Sequence, residues 1–79
     1  MARADKLLES MRANPRDRRI AEIEAVCRQH GLDFSMPTRG SHAKVSAHSR
    51  PEILTIPVRR PIKPIYIKKL IELIDSLRL

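Results

Sequence analysis

The chain has 79 residues, enough for one small domain with a single hydrophobic core and modest stability. It contains no Trp, and Phe34 and Tyr66 are its only aromatic residues, so the core is aliphatic and many bases cannot be gripped on stacking platforms. The net charge is +7, and residues 35–79 carry nine Lys/Arg against three Asp/Glu, which puts the basic excess in the C-terminal half, where it attracts phosphate backbones or an acidic protein.

At the N-terminus, MARADKLLESMRANP lacks the continuous apolar run of a signal peptide, and no segment has the length needed to span a bilayer. The expectation is a cytoplasmic protein. Over residues 3–13, Leu7, Leu8 and Met11 recur at helical spacing between Lys6, Glu9 and Arg12, and Asn14-Pro15 closes the helix. Asp17 is the expected cap of a second helix. Its stripe is Ile20, Ile23, Val26 and Cys27, while Arg19, Glu22, Glu24 and Arg28 face water. Gly31 ends it, as a residue that takes the left-handed conformation without steric cost. His30 fits as favourable charge near the helix C-terminus. Cys27, the single cysteine, excludes an internal disulfide and a cysteine-rich zinc site and reads as a small buried residue.

After Gly31 the period changes to two. Leu32 to Ser35 suits a short strand stopped by Met36-Pro37, and Arg39-Gly40 reads as a turn. From Ser41 to His48, the residues His42, Lys44, Ser46 and His48 point one way and Ala43, Val45 and Ala47 the other. Ser49-Arg50-Pro51 makes the next turn, and Glu52 to Val58 suits a strand with Leu54, Ile56 and Val58 inward. Pro57 cannot donate to a ladder and belongs at the strand's end or on a sheet edge. Arg59 to Lys63 is a basic loop, and Pro64 opens a last helix with the stripe Ile67, Leu70, Ile71, Ile74 and Leu77. Helix, helix, three strands and helix give an α+β two-layer sandwich, an antiparallel sheet with helices on one face. The other face stays open and carries His42, Lys44 and Ser46.

Gly31 and Gly40 are the only glycines, which excludes a Gly-rich phosphate loop, and no paired carboxylates lie near the polar strand face. His42 and His48 are too far apart along one strand to share a metal ion, with no Asp or Cys beside them to complete a set. A Ser41-His42 nucleophile pair is disfavoured, because adjacent strand residues point to opposite faces. Metal-free cleavage of RNA fits the residues present. RNA supplies its own nucleophile, the 2′-hydroxyl, so a protein need only move a proton and stabilise charge on phosphorus. His42 is then the acid/base group and Lys44 attracts the phosphate, while Arg39, Arg59, Arg60 and Lys63 hold the flanking backbone. Two other readings stay open: a module that binds RNA on this face without cutting it, and a domain whose basic face docks an acidic protein.

The run Gly31-Leu32, then TRGSH (Thr38 to His42), a strand, RPEILTIPV (Arg50 to Val58), Lys63-Pro64 and an apolar helix resembles the HicA-type toxins from about Asn14 to Asp75. The resemblance implies a fold similar to a double-stranded-RNA-binding domain and ribonuclease activity on mRNA that arrests translation. No cofactor or metal is implied, nor any membrane association. It also implies neutralisation by a HicB-type antitoxin covering the active face, with DNA reached only through that antitoxin. The family's catalytic histidine falls on His42 and its preceding glycine and serine on Gly40 and Ser41, Gly40 supplying the tight turn and Ser41 the entry to the strand. Ala43 stands where members commonly have a second histidine or a bulky residue. One domain, 1–79, is expected, with residues 14–79 as its HicA-like part. Residues 1–13 exceed the minimal family length and form an added helix that packs on the domain or contacts the antitoxin.

Overall fold

The structure, a computed structural model, describes residues 3–59 and 62–77. Its elements are α1 (Arg3–Ala13), α2 (Ile20–Gln29), β1 (Asp33–Ser35), β2 (His42–Ser46), β3 (Ile53–Pro57) and α3 (Pro64–Leu77). The strands form one antiparallel sheet in the order β1-β2-β3. This is the expected α+β sandwich. The helices pack against one another and cover one face, with α2 beside β1 and α3 beside β3.

One cluster of buried side chains joins the two layers. Leu8 and Met11 of α1, Ile23, Val26 and Cys27 of α2, Val45 and Ile56 of the sheet, and Ile67, Leu70 and Ile74 of α3 all belong to it. Burying an aliphatic side chain of this size contributes about 1.5–3 kcal/mol, so α1 shares in the domain's stability and is not an appendage. The N-terminal helix therefore packs on the domain.

Two local findings differ from the sequence reading at the ends of α2. The helix is capped by Arg19, not Asp17, whose φ of 59° places it in the left-handed region as a linking residue. Aspartate is among the few non-glycine types that enter this region readily, and the helix consequently starts at Ile20. The Arg19 N–H donates to Glu22 Oε1 at 2.9 Å, the half of a capping box that an arginine cap allows. Arg18 does the joining. Its guanidinium donates to the Ser10 carbonyl at 2.8 Å, to the Asn14 carbonyl at 3.0 Å and to Glu22 Oε2 at 2.9 Å. Arg18 thereby adds a donor to the Ser10 carbonyl, which already accepts the Asn14 N–H at 2.9 Å, and reaches the Asn14 carbonyl just past α1, while its bond to Glu22 locks the start of α2. Burial acts against the Glu22 carboxylate, but the bonds from Arg19 and Arg18 outweigh it and hold the group below its ordinary range.

At the other end, Gly31 has φ 73°. The Leu32 N–H reaches the Cys27 carbonyl at 2.8 Å and the Gly31 N–H reaches that of Arg28 at 3.3 Å, the bond pair of a Schellman motif. At the C-cap His30 is half-buried, which its reading as a terminal charge does not anticipate, with Nε2 shut off from solvent and without a hydrogen-bond partner among the described residues.

The strands are shorter than their alternation suggested, and the links between them are not tight turns but six-residue segments, 36–41 and 47–52. His48 lies beyond the end of β2 and places Nε2 3.5 Å from Asp33 Oδ2. Pro57 ends β3, an edge strand, as its missing N–H requires.

Candidate functional site

The floor of the candidate site is set by the pleat of β2. Ala43, Val45 and Ala47 are buried against the helices, so His42 and Lys44 stand exposed on the uncovered face. Register fixes their neighbours. Lys44 lies between Ser35 of β1 and Thr55 of β3, whereas His42 pairs with Pro57 alone, because β1 stops at Ser35. The space left beside His42 is walled by the segment leaving β1, Ser35 to Arg39, and forms an open cleft of about 260 Å³ floored by His42 and Lys44.

Residues just before His42 are held from two sides. Gly40 has φ 85°, a conformation strained for any side chain even though a Cβ there would meet nothing within 4 Å. The Ser41 carbonyl accepts a 2.7 Å bond from the Val58 N–H, which resumes the ladder just past Pro57 and fixes where β2 begins. Contrary to the alternation argument, Ser41 Oγ lies 3.4 Å from His42 Nδ1. Ser41 precedes the first strand residue, so the pleat does not turn it away. At that length the contact orients the ring weakly and is longer than a nucleophile and base require. His42 Nε2 makes no hydrogen bond among the described residues.

Arg39, His42 and Lys44 line one cleft. Successive strand residues advance about 3.3 Å, so His42 and Lys44 are about 7 Å apart along the floor, a span that brackets one phosphodiester group. Arg59 is exposed two residues beyond Pro57, and Arg60 lies outside the described residues. Lys63 is not brought to the cleft. It lines a separate hollow with Arg16, Asp17, Ile62 and Pro64.

The wall residues Met36, Pro37 and Thr38, and Ser35 at the end of β1, are not singled out as site residues in the sequence, because the loop that carries the first three has no period from which side-chain direction follows. Met36 offered the one usable signal: an apolar residue outside both the helical and the strand pattern, here 48% exposed. Among the described residues, no three His, Cys, Asp or Glu side chains converge as a metal site, and no helix is long and apolar enough to cross a membrane. Comparison with family models, curated proteins and solved structures gives no match to this chain.

Proposed function

We propose that this chain is a HicA-type toxin, a cytoplasmic ribonuclease that cuts mRNA without a metal or other cofactor, arrests translation as a stress response and is neutralised by a HicB-type antitoxin. The observation that carries the proposal is the meeting of Arg39, His42 and Lys44 in one exposed cleft. His42 takes the proton from a 2′-hydroxyl as the 2′-oxygen attacks phosphorus. The P–O5′ bond breaks, leaving a 2′,3′-cyclic phosphate and a 5′-oxygen that takes up a proton. Lys44 and Arg39 offset the negative charge that gathers on the phosphoryl oxygens. DNA has no 2′-hydroxyl and is not cut.

A second reading, a non-catalytic RNA-binding module on the same face, draws on the weak orientation of His42: its one side-chain hydrogen-bond partner among the described residues is Ser41 Oγ, at 3.4 Å. One experiment separates the two. The purified protein and its His42→Ala variant are incubated with single-stranded RNA in EDTA and the fragments are resolved. Fragments from the first and none from the second, with unchanged circular dichroism, support the toxin. Equal cleavage by both removes His42 as the acid/base group, and binding without fragments from either leaves the binding module.

A further inference from the structure

The cleft beside His42 has an apolar wall that phosphate binding does not use. Met36 is one of three large hydrophobic residues exposed in the described structure, with Ile53 and Ile65, and it alone of the three lines the cleft with Arg39, His42 and Lys44. Pro37 adjoins it. At about 260 Å³ the cleft lies just below the range, roughly 300–1,000 Å³, of pockets that enclose drug-sized ligands, which suits one nucleotide and not a stack of them. Neither aromatic side chain lines it. Phe34 and Tyr66 are half-buried and packed against the core cluster. A base entering this cleft therefore meets a thioether and a pyrrolidine ring, and a polarisable sulfur against an aromatic ring is a favourable contact.

We infer that the cleft is a nucleotide subsite in which Met36, backed by Pro37, holds one nucleobase while Arg39 and Lys44 hold the adjoining phosphate. The subsite rests on the reading of this face as an RNA-cutting site, and it adds what that reading lacks: a grip on a base in a chain without stacking platforms. Met36 is then a specificity-determining residue. It requires an unpaired base, because a base stacked inside a duplex cannot turn its face to a side chain.

The test measures binding apart from cleavage. A 2′-fluoro oligonucleotide, which lacks the attacking hydroxyl, is titrated by fluorescence anisotropy against the unaltered protein and against Met36→Ala and Ile53→Ala. The same series is run with a strand of equal length whose bases are removed. Met36→Ala is expected to weaken binding of the base-bearing strand about fivefold and to leave the abasic strand within about twofold, with Ile53→Ala changing neither. Equal losses on both strands, or no loss on either, overturn the subsite. Failure of the unaltered protein to bind the base-bearing strand overturns it as well. Cleavage of natural RNA, assayed separately, keeps the two proposals distinct. A base-dependent Met36 effect without cleavage retains the subsite and removes the ribonuclease; cleavage without a Met36 effect does the reverse.

Discussion

Arg12 and Asp75, 63 residues apart in the chain, face each other with two guanidinium N–H groups donating to two carboxylate oxygens, both at 2.7 Å. The pair ties α1 to the last turns of α3. Hydrogen bonding to Asp75 raises the Arg12 guanidinium further above its already high range, so it stays charged throughout.

Ion pairing and burial hold α1 by unequal amounts. The Arg12 and Asp75 side chains are 37% and 44% exposed, so screening limits their coupling to about 0.5–1 kcal/mol even in bidentate geometry. Leu8 is fully buried, and Leu8→Ala is expected to cost about 2–5 kcal/mol. Urea unfolding of Arg12→Ala, Asp75→Ala, the double variant and Leu8→Ala checks this at low and high salt. The pair's coupling shrinks with salt and the Leu8 loss does not. A coupling as large as the Leu8 loss contradicts the assignment.

Cys27 gives the fold a defined alkaline limit. Burial, with Glu24 adding to it, pushes the thiol from its ordinary 9.0 up to about 12. Below the lower value the thiol is protonated in both folded and unfolded chains, and its contribution to stability is fully present. As pH rises through the interval the unfolded chain loses its proton first, and stability falls. The unfolding midpoint is expected to drop as pH rises from about 9 towards about 12, and to drop less in Cys27→Ala, where that proton is absent. A thiol reagent should label Cys27 only as fast as the chain opens. Rapid labelling of the folded protein, or identical pH profiles for the two chains, contradicts its burial.

The parts of the fold that the sequence made legible are those where a period and a terminator agree. Leu7, Leu8 and Met11 before Asn14-Pro15 gave α1, and Pro64 before the Ile67 to Ile74 stripe gave α3. Alternation through Ala43 and Val45 placed His42 and Lys44 on the wet face. Where one residue type suits two roles, the reading slipped. Asp17 has a capping side chain, yet its tolerance of positive φ decided its place, and Arg18 carried the join between helices. Contacts across 63 residues, such as Arg12 with Asp75, leave no local trace. The cleft was half legible for the same reason: its floor lies on a strand and its wall on a loop.

The basic residues grouped by the sequence separate in space, which makes their contributions to RNA binding separable by length. Arg39 lines the cleft with His42, and Lys63 lines the hollow with Arg16 and Asp17. Arg39→Ala should weaken binding of a short strand that fills only the cleft and of a long one alike. Lys63→Ala should weaken only the long strand, whose backbone extends to the second hollow. Each phosphate contact on single-stranded RNA contributes about 0.7 to the slope of log affinity against log salt, so each loss should reduce the slope by about that amount where it applies. Titrations of both variants with uncleavable strands of about three and about fifteen nucleotides, over a range of salt, read this directly. If Lys63→Ala weakens the short strand as much as Arg39→Ala does, the two hollows act as one site. If it weakens neither strand, RNA does not run from the cleft toward the start of α3.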